Sequence, residues 1–119
     1  MEKFIYETAL FDFYGALLTE KQHRCLQLHL YNDFTVSEIA EQVGVSRQGA
    51  YDAIRHAEKT MQSCEEKLGL VKRYQKERQQ LKTIYRDMID LKRSINDARI
   101  NDILDHMDTL LGQRRETMT

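Results

Sequence analysis

The chain has 119 residues, no Pro or Trp, five Gly, 31% charged residues and a net charge of −1. That length allows one domain, or one small domain with an extension, and a modest core without disulfides. The composition favours helices and excludes both a membrane span of roughly 18 apolar residues and a uniformly cationic nucleic-acid binder.

The charge is unevenly spread. Residues 1–45 carry three basic and seven acidic side chains, a balance of −4. Residues 46–86 carry ten basic and five acidic, a balance of +5, and residues 87–119 carry five basic and seven acidic, a balance of −2. A mild basic block of this kind suits a surface facing phosphates, and it also suits a solvated helix. Two isolated cysteines, Cys25 and Cys64, fit no metal spacing and point to a reducing, cytoplasmic setting. The start, MEKFIYETALFDFYGALL, is too charged and aromatic for a secretory signal.

Phe4, Ile5, Leu10, Phe11, Phe13, Tyr14, Leu17 and Leu18 predict a first helix ending near Gly15–Leu18. Thr19 followed by Gln22 is a capping-box pattern, which starts a second helix at Glu20 and runs it to about Tyr31. Asn32-Asp33 is a turn. Val36, Ile39, Ala40 and Val43 mark a short third helix that Gly44 ends. Ser46 caps a fourth, from Arg47 to about Leu68, with Ala50, Ala53 or Ile54, Ala57, Met61, Cys64 and Leu68 inward and Gly69 closing it. Tyr74, Leu81, Ile84, Met88, Leu91 and Ile95 then form a heptad-like seam. Asn96-Asp97 is a candidate break, and Ile100, Ile103, Leu104, Met107, Leu110 and Leu111 form another stripe. The tail GQRRETMT is polar and expected to fray. The fold expected is all-α: a helix-turn-helix domain over 1–70 and a helical C-terminal arm over 71–119.

Residues 35–51, TVSEIAEQVGVSRQGAY, carry the functional signal. Ile39, Val43 and Val45 bury the angle between two helices, Ala40 leaves room for the crossing, and Gly44 makes the turn. With Ser46 fixing the start, Arg47, Gln48, Tyr51, Asp52 and Arg55 face outward. That is the arrangement in which a recognition helix enters a major groove. Arg47 can bridge guanine and Gln48 adenine, while Ser46, Arg55 or Lys59 can hold phosphates. The expected DNA-binding set is therefore Ser46, Arg47, Gln48, Tyr51, Arg55 and Lys59. Glu38, Glu41 and Asp52 would repel phosphate, and a competing reading makes the motif a packing unit or a protein-binding surface.

Residues 19–61 resemble region four of bacterial sigma factors, which reads a promoter element with a helix placed like Arg47–Met61. FYGALLTEKQ, LYNDFTVSEIAEQ, VSRQGAYDAI and the CEEKLGL segment resemble the YlxM family, and the likeness covers nearly the whole chain. Members of that family are small bacterial helix-turn-helix proteins encoded beside the signal recognition particle GTPase. The resemblance implies a DNA-binding or regulatory protein serving the signal recognition particle pathway, and it supplies no catalytic residue. The rival it leaves open is a module that binds that GTPase or its RNA, with the basic block lying on an RNA backbone.

A chain this short has little with which to cover two C-terminal stripes. Homodimerisation through residues 74–111 is therefore expected, with Leu81, Ile84, Met88, Leu91, Ile95, Ile103, Met107 and Leu110 at the seam. An intramolecular bundle is the alternative. His23, Cys25 and His29 are too few for a zinc site. Asp87, Asp90, Asp97, Asp102, Asp105 and Asp108 follow the polar faces of helices, so no paired catalytic acids are expected. The expectation is a cytoplasmic, non-enzymatic DNA-binding regulator that needs no cofactor or metal.

Overall fold

A computed structural model describes residues 2–118, with side chains from 2 to 112. Among these residues the chain forms helices α1 (Lys3–Tyr14), α2 (Glu20–Tyr31), α3 (Val36–Val43), α4 (Arg47–Leu68), α5 (Leu70–Ser94) and α6 (Ala98–Met118), and no strand. A 3₁₀ turn, Gly15–Leu17, follows α1. The polar tail expected to fray, from Gln113 onward, lies outside the residues whose side chains are described. The chain divides into two compact units, Met1–Val71 and Lys72–Thr119.

In the first unit, α1, α2 and α3 all pack on α4. The reason is the side of α4 that carries Ala50, Ala53, Ile54, Ala57 and Met61, all buried. Three alanines let the neighbouring backbones come close, and Ile54 and Met61 fill the space between. Leu26 and Ile39, fully buried against this face, are each worth about 1.5–3 kcal/mol of apolar transfer.

Helix starts are closed by local chemistry. The Gln22 N–H donates to Thr19 Oγ1 at 3.2 Å while the Thr19 N–H donates to Gln22 Oε1 at 3.1 Å. Thr35 and Glu38 repeat this reciprocal pattern at α3. Glu38, expected to repel phosphate, is thus tied to the backbone. Two orphan donors are satisfied at each start, worth about 1 kcal/mol.

Along α1 and α4 one register recurs. Tyr14 meets Glu65, 51 positions on, and the Tyr14 hydroxyl donates to Glu65 Oε1 at 2.7 Å. Glu7 and Glu58 line one cleft at the same offset, and the Tyr6 hydroxyl donates to Gln62 Oε1 at 3.1 Å, so the two helices run parallel. The Tyr14–Glu65 end is a buried junction. The Leu70 N–H donates to Tyr14 Oη at 3.2 Å, and the Val71 N–H donates to Glu65 Oε1 at 3.0 Å. The first turn of α5 is thereby capped by side chains from elsewhere in the chain, which explains how α5 restarts one residue after Gly69 ends α4 at φ 63°. The Tyr14 hydroxyl is pushed up to about 12, first by burial and then by Glu65.

This junction corrects the expected inward face of α4. Leu68 is 55% exposed and Cys64 only half-buried, whereas Glu65 is buried. A carboxylate supplied with donors takes the inner position, and Leu68 turns outward directly before the break at Gly69.

In the second unit α6 returns antiparallel to α5 after a break at residues 95–97. Asp97 opens α6 by accepting from the Arg99 N–H at 3.0 Å and from its guanidinium at 2.6 Å. Those bonds hold the Asp97 carboxyl below its usual range. Arg78 on α5 donates to the Leu111 carbonyl at 3.2 Å. Ile100, Leu104, Met107 and Leu111, at spacings of four, three and four, are the buried side of α6.

Candidate nucleic-acid interface

The geometry of the candidate surface begins at Gly44. Its φ of 79° is a left-handed conformation that costs a residue with a Cβ roughly 1 kcal/mol or more. The Gly44 and Val45 N–H groups both donate to the Ala40 carbonyl, at 2.9 and 3.0 Å, which closes α3 and turns the chain. Ser46 then caps α4 by accepting from the Gly49 N–H at 2.9 Å. Gly49 is itself fitted to this cap, since a Cβ there would stand 3.1 Å from Ser46 Oγ.

With its start fixed, α4 presents Arg47, Gln48, Tyr51, Asp52, Arg55 and Lys59 to solvent, while Ala50, Ala53, Ile54 and Ala57 face the core. The six expected DNA-contacting residues, including Ser46, therefore all lie on one open surface. Two side-chain pairs give that surface order. Gln48 Nε2 donates to Asp52 Oδ1 at 2.9 Å. Arg55 Nη1 donates to Tyr51 Oη at 3.1 Å, with the guanidinium 5.7 Å from the ring centre. The Tyr51 bond raises the Arg55 guanidinium above its already high range, so its charge is permanent.

Asp52 changes meaning here. Its carboxylate accepts from one N–H of Gln48 and so restrains an exposed amide of the kind that pairs with an adenine edge. The sequence places Asp52 four residues after Gln48, which is the signal for such a pair on a helix.

The remaining candidates separate. The His23 ring lies against Phe11, 4.8 Å between centres. Cys25 is fully buried, and burial pushes its thiol up. His29 is exposed. Among the described residues no group of three His, Cys, Asp or Glu is placed to hold a metal ion, and no helix is long and apolar enough to cross a membrane. Asp87, Asp90, Asp102, Asp105 and Asp108 are exposed, as their spacing implied.

Of the residues expected at a dimer seam, Ile84, Leu91, Ile95, Ile103 and Leu110 are exposed, Leu81 and Met88 are half-buried, and Met107 is buried within the second unit. Sequence reading missed the Glu7–Glu58 and Tyr14–Glu65 pairs, because partners so far apart leave no local pattern.

A family described as "Putative helix-turn-helix protein, YlxM / p13 like" matches residues 1–103. A UPF0122 protein of Thermoanaerobacter sp. (strain X514) is 39% identical over 106 residues, covering 89% of this chain and 91% of that one. Another from Geobacillus kaustophilus is 40% identical over 110 residues, covering 92% and 98%. A third from Listeria monocytogenes is 38% identical over 101 residues, covering 85% and 90%.

Proposed function

The chain belongs to the YlxM / p13-like helix-turn-helix family, and from that premise we propose that it is a non-enzymatic DNA-binding regulator acting as a homodimer in the cytoplasm. The carrying observation is the surface of α4. A helix whose start is fixed by Gly44 and Ser46 presents Arg47, Gln48, Tyr51 and Arg55 together, with three of the four held by neighbours. Such a helix lays its N-terminal residues against base edges, and Ser46 and Lys59 flank it for phosphates.

The dimer rests on the second unit. A two-helix hairpin has one inner face, yet Ile84, Leu91, Ile95, Ile103 and Leu110 remain exposed. Leu81, Ile84, Met88, Leu91 and Ile95 step by three and four residues, the spacing of a seam that a second copy covers. Two copies would present two reading helices to two half-sites. A link to the signal recognition particle GTPase or its RNA is the family-level alternative, and competition by that RNA distinguishes it.

The test is Arg47→Ala combined with Arg55→Ala, read by fluorescence anisotropy on a duplex from the promoter of the protein's own gene. Loss of two base- or phosphate-contacting arginines should weaken binding at least about ten-fold. The melting temperature should stay within about 1 °C, because both side chains are exposed. Undiminished binding by the double variant would remove α4 as the reader.

A further inference from the structure

A cleft of about 720 Å³ opens beside the reading helix, between α1 and the second half of the α4 face that carries Tyr51 and Arg55. Lys3 and Glu7 enter it from α1, His29 from α2, and Tyr51, Arg55, Glu58 and Lys59 from α4, while α3 contributes only Val36 among its charged and uncharged lining. Three basic side chains, Lys3, Arg55 and Lys59, thus line one opening, and two of them, Arg55 and Lys59, belong to the expected DNA-contacting set.

The only carboxylates on this wall are Glu7 and Glu58. They also line a second, smaller cleft of about 240 Å³ on their other side, so the pair forms the partition between the two. Glu58 is half-buried, and Glu7 is nearly shielded, with Lys3 Nζ 4.0 Å away. The parallel register of α1 and α4 forces the two carboxyl groups together, as it forces Tyr14 onto Glu65 two turns later. Two carboxyl groups on one wall cannot both ionise cheaply, which favours the protonated form of Glu58.

We infer that this cleft seats the DNA backbone next to the reading helix, and that Glu58, beside Glu7, gates it: with Glu58 neutral the cleft attracts phosphate, and with Glu58 ionised the added negative charge weakens that hold. The inference rests on the DNA-binding reading above and extends the interface to Lys3 and His29. Burial first, then the neighbouring Glu7, moves the Glu58 carboxyl up to about 7, which puts the change within reach of neutral solution. Lys3 and Arg55 oppose that shift and burial outweighs them. The sign follows: affinity for phosphate falls as pH rises through neutrality.

The experiment compares wild type with Glu58→Gln at pH 6 and pH 8, at one ionic strength. Binding of a random 20-base-pair duplex is followed by anisotropy, and inorganic tripolyphosphate by amide chemical shifts. One added charge near the phosphates should weaken wild-type duplex binding about three-fold more over this range than it weakens Glu58→Gln. His29 is present in both proteins, so its contribution cancels. Equal pH dependence in the two proteins would overturn the gate. Tripolyphosphate should shift the amides of Lys3, Arg55 and Lys59, more at pH 6 than at pH 8. If wild type binds no duplex yet tripolyphosphate behaves so, the DNA reading fails and the gated phosphate seat stands. If tripolyphosphate moves none of these signals, the seat itself is refuted.

Discussion

The two units of this chain use their apolar residues differently. In residues 1–71 Leu10, Tyr14, Leu26, Ile39 and Met61 form a closed core, while Phe4, Ile5, Leu17, Tyr31, Tyr51 and Leu68 stay exposed at scattered places around it. Each helix start from α2 to α5 has a side-chain cap. From residue 72 onward the hairpin buries one face of α6 and leaves five large aliphatic residues in solvent. The exposed apolar residues of the first unit follow no heptad spacing, whereas those of the second fall on one seam. A unit that leaves a heptad stripe open is fitted for another helix surface, and a second copy supplies the same stripe by symmetry.

The comparison breaks most sharply at that stripe. Ile84→Lys with Leu91→Lys would place two uncompensated charges in the dimer seam, at a cost of several kcal/mol. Sedimentation should then find monomer at every practical concentration, with the helix-turn-helix core still folded. A dimer that survives both lysines would mean that another surface joins the copies.

Next in size is Glu65→Ala, which strands the Tyr14 hydroxyl and the Val71 N–H in a buried place. The cost should be about 3 kcal/mol, read as a fall of roughly 10 °C in melting temperature. Glu65→Gln, which keeps an acceptor, should lose less. A loss below about 1 kcal/mol for the alanine variant would contradict the junction described at α5.

Smaller effects belong to the turn before the reader. Ser46→Ala removes one cap and Gly44→Ala puts a Cβ in a left-handed residue, so each should cost about 1 kcal/mol in denaturant unfolding. Both should also weaken duplex binding more than their stability loss explains, since they loosen where α4 begins.

The smallest effect is the pH dependence of stability from Glu58. Its folded value, about 7, lies above its ordinary 4.5, so the folded protein holds the extra proton between those limits. Stability therefore declines as pH rises from about 4.5 to 7 and is flat beyond, for this group alone. Glu58 is half exposed, so solvent blunts the effect. Melting temperatures at pH 5 and pH 7.5 should differ by more in wild type than in Glu58→Gln.

Much of the first unit was legible in sequence because its signals are local. Thr19 with Gln22, Gly44, Ser46 and Gly69 each fix a helix boundary within four residues of themselves, and all four act as read. The outward set on α4 follows from the same phase. What escaped was non-local or contrary to polarity. Nothing near Glu65 says that it is buried, because its donors come from Tyr14 and from the first turn of the next helix. Leu68 looked inward by hydropathy, yet the break at Gly69 lets it turn out. The bonds of Glu38 to Thr35 and of Asp52 to Gln48 were not read either, although they leave the negative charge of both in place.

The most direct measurement is selection of bound duplexes from a random library by the intact protein, followed by sequencing. A helix that reads bases, presented twice, predicts an enriched motif of two related half-sites about 10 base pairs apart. A single enriched half-site would correct the dimer alone. Recovery of a pool no different from the starting library would contradict the central claim that α4 reads DNA.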